Sequence, residues 1–169
     1  MRQASEAAIA IVTALKCELA GDVLRSFGTL RFSATGWSML PSILPGDTLV
    51  VESVRPVQVR LGEVVLVGRE GKLRAHRVVG MAGDSENPRW FTQGDALSAP
   101  DPVVSRDELL GRVLYLIRAG KLVAVPPELS VVDSLVAKIV RRSSFAARAF
   151  VHLNRTRQTL LEPVSPCLD

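Results

Sequence analysis

The chain has 169 residues, 47% of them hydrophobic and 22% charged, and a formal net charge of +4. That length fits one domain with helical appendages and excludes a multidomain machine; the composition excludes a disordered or fibrous chain. Aromatics make up only 5%, so Val, Leu, Ile and Ala must fill the core, and platforms for stacking nucleic-acid bases are scarce.

The basicity is local. Between Lys138 and Arg157 lie Lys138, Arg141, Arg142, Arg148, Arg155 and Arg157 with no acid among them. Residues 131–169 hold a net +3, which leaves +1 for the first 130, so no nucleic-acid partner is expected for the main domain. Cys17 and Cys167 lack metal-ligand spacing and are expected as two free thiols. The apolar run Ala7 to Leu15 lies between Glu6 and Lys16 and falls far short of the roughly 20 residues of a membrane span. No small-x-small cleavage site follows it, so a secretory leader is not expected and the cytoplasm is the default compartment.

In chain order, Ala8, Ile11, Val12, Leu15, Leu19 and Val23 recur at helical spacing and predict an amphipathic helix from Ser5 to about Leu24. Thr29 to Ala34 predicts a strand running into the turn-rich segment Gly36 to Pro41. Thr48 to Val54, Glu63 to Val67, Leu73 to Met81, Trp90 to Gln93, Arg112 to Ile117 and Lys121 to Val125 are rich in Val, Leu or Ile and bounded by Gly, Pro or Asp, which predicts further strands. Ala119-Gly120 reads as a hairpin turn and Pro126-Pro127 closes the β region. From about Glu128, Val132, Leu135, Val136, Ile139 and Val140 restore the helical period, with an interruption near Ser143-Ser144. The expected organisation is an N-terminal helical segment (1–28), a β domain (29–126) and a basic C-terminal helical appendage (127–169).

Two histidines are present. His152 falls in the basic helix and reads as a surface residue; His76 lies in a strand whose alternation predicts Leu73, Ala75 and Val79 on one face and Arg74, His76 and Val78 on the other, away from the apolar side. Ser38 sits in a turn directly after a strand, where a hydroxyl is held exposed on constrained backbone. A serine is a poor nucleophile until a neighbouring base takes its proton, which imidazole does when a carboxylate fixes its tautomer. Asp95 and Asp101, just after the strand Trp90 to Gln93, are the candidate acids.

Four segments carry a resemblance. Gly-Trp-Ser-Met-Leu-Pro (36–41) with Pro-Gly-Asp-Thr-Leu-Val-Val (45–51) resembles the nucleophile segment of type I signal peptidases, and more distantly of LexA-like self-cleaving repressors. Gly62-Glu63-Val64-Val65 is similar to the strand leading to their second motif. Ala75-His76-Arg77-Val78-Val79-Gly80 looks like the base-bearing box, and Phe91-Thr92-Gln93-Gly94-Asp95 with Asp101 looks like the Gly-Asp motif and its trailing acid. Leu110-Gly111-Arg112-Val113 is similar to the strand that ends the catalytic region. The order of the motifs is the family's, from about Thr29 to Val125.

The resemblance implies a mainly β fold of coiled sheets and a serine endopeptidase of the histidine-base branch, working on a peptide or protein without cofactor or metal. It assigns Ser38 as nucleophile, His76 as general base and Asp101 as the orienting acid, with Asp95 as supporting or alternative acid. Ser38, Gly36, Trp37 and Met39 would form the oxyanion and substrate-binding surface. Three departures stand out. Gly36 replaces a serine whose hydroxyl helps bind the oxyanion in many members, a loss worth about 10²–10³ in rate; Ala96-Leu97 follows Gly94-Asp95 in place of an asparagine-containing sequence; and the family's membrane anchor is missing.

Two alternatives follow from the same residues. One is a LexA-like switch that cuts its own Ala20-Gly21 bond. The other is a non-catalytic peptide-binding module, which Gly36 makes credible. For the C-terminal helix the expectation is packing of Leu135, Val136, Ile139 and Phe150 on the β domain, with peripheral membrane contact through its basic face as the second reading.

Overall fold

The computed structural model describes residues 2–84, 86–142 and 147–153, with side chains from residue 14 onward. Helix α1 (Arg2–Phe27) precedes strands β1 (Thr29–Ser33), β2 (Thr48–Glu52), β3 (Val64–Arg69), β4 (Lys72–Ala82), β5 (Arg89–Gln93), β6 (Leu109–Arg118) and β7 (Lys121–Val123). Helix α2 (Val131–Arg142) follows, and residues 147–153 are helical. The predicted break at Ser143-Ser144 and the state of Cys167 lie outside the described residues; Cys17 is a free thiol, which burial pushes above its ordinary pKa.

The chain is mainly β. All strand pairs are antiparallel, in the order β1-β2-β6-β3-β4-β5, with β7 added to β6 where β3 leaves off. Two tight hairpins set the register. Glu70-Gly71 joins β3 to β4 and Ala119-Gly120 joins β6 to β7, with both residues of each pair at positive φ, the backbone that suits the right-handed twist of the flanking strands.

Every residue from Val64 to Val67 is buried, because β3 is covered on both faces. Val64 and Leu66 enter one core with Leu24, Met39, Ile43, Leu49, Val51, Val113 and Leu116. Val65 and Val67 enter another with Val59, Val78, Trp90 and Val104. This corrects the expected placement of His76: it lies opposite Val65 in the β3–β4 ladder and is buried on the second core's face, 4% exposed. A register shift between Val78 and Gly80 turns Val79 outward.

The helices also differ from expectation. On α1, Ala20 and Leu24 are buried while Leu15 and Leu19 are exposed, so the docking face is rotated from the one the periodicity predicted; Ala8, Ile11 and Val12 have side chains outside the described set. A third core, formed by Leu40, Leu44, Ala96, Val140, Ala147 and Val151 with Val136 and Phe150 at its edge, binds the C-terminal helices behind the Ser38 turn. Leu135 and Ile139, expected in that packing, point outward. No helix among the described residues is long and apolar enough to cross a membrane.

Candidate active site

β1 ends at Ser33 and the chain turns through 37–42, the Leu40-Pro41 peptide being cis. Two ion pairs, each with a buried aspartate, fix this turn. Asp47 accepts the Leu44 amide at 2.7 Å and binds Arg118 of β6 at 2.6 Å, while Arg118 also holds the Ser42 carbonyl. Asp95 is gripped through both oxygens by Arg77 of β4, at 2.8 and 2.9 Å, and accepts the Ser42 hydroxyl at 2.5 Å. The Ala96 amide then donates to the Ser38 carbonyl at 2.8 Å. Position 94 has no room for a side chain, since a Cβ there would stand 2.6 Å from the Ser38 carbonyl oxygen and 2.9 Å from its Cβ.

Ser38 is thereby presented to His76. The Ser38 hydroxyl lies 2.9 Å from His76 Nε2, and His76 Nδ1 lies 2.5 Å from an Asp101 carboxylate oxygen. With Nδ1–H donating to Asp101, Nε2 is left as acceptor for the hydroxyl proton. That carboxylate oxygen also accepts the Thr92 hydroxyl at 2.8 Å, and the Asp101 amide donates to the Thr92 carbonyl at 2.7 Å. The structure thus brings Ser38, His76 and Asp101 together and keeps Asp95 apart. Asp95 braces the turn through Arg77 and Ser42 and does not reach the imidazole, which corrects its reading as an alternative acid.

The loop that carries Asp101 has its own clamp. Arg69, at the end of β3, donates to the Pro102 and Val103 carbonyls at 3.1 and 2.6 Å and pairs with both oxygens of Glu108. Glu108 also accepts the Ser105 amide and hydroxyl. The Arg69 hydrogen bond, seconded by Ser105 and opposed by burial, holds the Glu108 carboxyl at about 2, below its ordinary 4.5.

These groups open into a cleft of about 900 Å³ between β1 and the first half of β4, with Phe32, Met39, Ile43, Leu49, Leu73 and Ala75 as apolar lining. Among the described residues both strands have free backbone edges there. β1 pairs only with β2, and β5 joins β4 only from Arg77 onward. At the two ends of β2 the Gly28 carbonyl accepts the Ser53 amide, and Ala34 donates to the Asp47 carbonyl and accepts the Gly46 amide, so by alternation Ser33 turns its N–H and C=O to the cleft; Val78 bonds to Glu63 of the β3 side, so Leu73 and Ala75 do the same from β4.

Of the other predicted residues, Met39 is buried beneath the cleft and Gly36 lies on its wall. A Cβ at position 36 would meet only the Ser38 hydroxyl, at 4.0 Å. Trp37 is 41% exposed and does not line the cleft. The Ala20-Gly21 bond lies inside α1 with both residues buried, and neither lines the cleft at Ser38. Among the described residues no group of three or more His, Cys, Asp or Glu is gathered to hold a metal ion.

Sequence reasoning did not assign roles to Thr92, Arg69, Arg77, Ser42 or Glu108. Thr92 had a signal: it alternates with Trp90 on β5, and both are buried. The arginines had none, because their partners lie between 15 and 50 residues away along the chain. Neither a protein-family model nor a curated protein matches this sequence, so the motif resemblance and this geometry carry the functional reading.

Proposed function

We propose that the protein is a serine endopeptidase of the type I signal-peptidase kind, with Ser38, His76 and Asp101 as its catalytic residues. The observation that carries this reading is the unbroken chain of contacts from the Ser38 hydroxyl through the imidazole to Asp101, opening on a cleft with two free strand edges. An extended peptide adds to those edges by β-augmentation, with small side chains against the apolar floor. Ser38 Oγ attacks the scissile carbonyl while His76 Nε2 takes its proton, and Asp101 stabilises the imidazolium. The imidazolium returns the proton to the leaving amine, leaving an ester on Ser38. Water, deprotonated by the same imidazole, then releases the acid and restores the hydroxyl. The backbone amide of Ser38 is the oxyanion donor at hand, since Gly36 brings no hydroxyl.

The test is acylation. Intact mass after incubation with a penem should show one adduct on the wild-type chain and none on Ser38→Ala or His76→Ala. A wild-type chain that stays unlabelled while it binds extended peptides with free strand edges would replace the peptidase reading with a peptide-binding module.

A further inference from the structure

Helix α2 is built inside out for a helix at the edge of a domain. Its start is capped by Ser130, whose hydroxyl accepts the Asp133 amide at 3.1 Å and donates to the Asp133 carboxylate at 2.7 Å. Ala137 and Val140 are buried, Val140 in the core with Leu40, Leu44 and Ala96. Its larger aliphatic side chains face away. Val131, Val132, Leu135 and Ile139 are 88%, 69%, 59% and 52% exposed, and at 100° per residue they fall within an arc of about 100° centred opposite Ala137. Lys138 and Arg142 stand along one side of that arc, both exposed and outside every ion pair among the described residues. Asp133, the sole acid of α2, lies on the domain side and is spent on the cap.

We propose that this stripe docks on an anionic lipid surface. An apolar arc edged by cations that make no ion pair among the described residues satisfies both of its parts there, the aliphatic side chains entering the acyl boundary and the cations meeting headgroup phosphates. A second copy of the chain would bring Lys138 and Arg142 against their own kind. The centres of protein interfaces are rich in aromatic residues, and this stripe has none. The inference does not depend on the peptidase reading.

The experiment is co-sedimentation of the full chain, at low ionic strength, with vesicles of phosphatidylcholine alone or mixed in equal parts with phosphatidylglycerol. Two cations near the surface should make binding to the anionic vesicles about 30-fold tighter. Lys138→Glu with Arg142→Glu should abolish that preference, and Leu135→Gln with Ile139→Gln should abolish binding to both. All four positions are exposed, so penem labelling of Ser38 should be the same in both variants as in the wild type, and this separates a failure of docking from a failure of the peptidase reading. Absence of binding to anionic vesicles, equal binding to the two compositions, or a dimer in light scattering that Leu135→Gln with Ile139→Gln dissolves would each overturn the proposal.

Discussion

Segments 94–96 and 101–105 both follow β5, and each delivers one aspartate to the neighbourhood of Ser38. Asp95 meets a guanidinium and becomes a brace; Asp101 meets an imidazole that in turn meets the Ser38 hydroxyl. The difference lies in the partner. Arginine acts as a rigid, forked donor and not as a proton acceptor, so the buried Asp95–Arg77 pair serves to fix backbone. Imidazole can gain and lose a proton, so in the proposed reaction the same carboxylate chemistry at Asp101 would serve the base. In the proposed peptidase the two divide the work, one carboxylate holding the Ser38 turn and one orienting the imidazole.

Four substitutions break or sharpen that contrast. Asp101→Asn should cut the rate of acylation about 10⁴-fold by favouring the wrong imidazole tautomer, with a thermal midpoint close to that of the wild type. Asp95→Asn should act the other way round. It strands Arg77, whose side chain is only 8% exposed, and should cost about 3–5 kcal/mol, read as a fall of roughly 10 °C in the midpoint; activity measured well below that midpoint should fall far less than in Asp101→Asn.

Gly36→Ser comes next. The position has space for a Cβ and its φ is not in the left-handed region, so a hydroxyl introduced beside Ser38 should raise acylation by up to about 100-fold through oxyanion binding, measurable by the rate of penem labelling. The smallest effect concerns the clamp on the Asp101 loop. The Glu108 carboxyl is held at about 2 against an ordinary 4.5, so its contribution is complete above that ordinary value and is lost as pH falls towards 2. Glu108→Gln should remove about 1–2 kcal/mol at neutral pH, after allowance for solvent screening, and should flatten the fall in stability between pH 4.5 and 2 in acid-unfolding curves. A curve unchanged by the substitution would show that Arg69 holds the loop through its carbonyl contacts alone.

Much of the fold could be read in advance. The β-branched runs, punctuated by Gly, Pro and Asp, located every strand to within a few residues, and Ala119-Gly120 named its own hairpin. Alternation alone puts His76 on the solvent side because it opposes apolar face to polar face, whereas β3 and β4 lie between two cores. The unbroken apolar run Val64 to Val67 was the available sign of burial on both faces. The exposed stripe of α2 differs from expectation for a related reason: helical period reveals that an apolar face exists but not which way it is turned. At the site, Ser38, His76 and Asp101 were legible through motif order, whereas Arg69, Arg77 and Glu108 were not.

The sequence by itself determined where the chain could extend, turn and coil, since those choices rest on side-chain branching, backbone freedom and local spacing. It also placed a hydroxyl, an imidazole and two carboxylates in a recognisable order. Only the tertiary structure decided which carboxylate reaches the imidazole. That outcome depends on how β3, β4 and β5 bring Arg69, Arg77 and Thr92 alongside the two aspartates, and contacts made between distant strands leave no local trace in the chain.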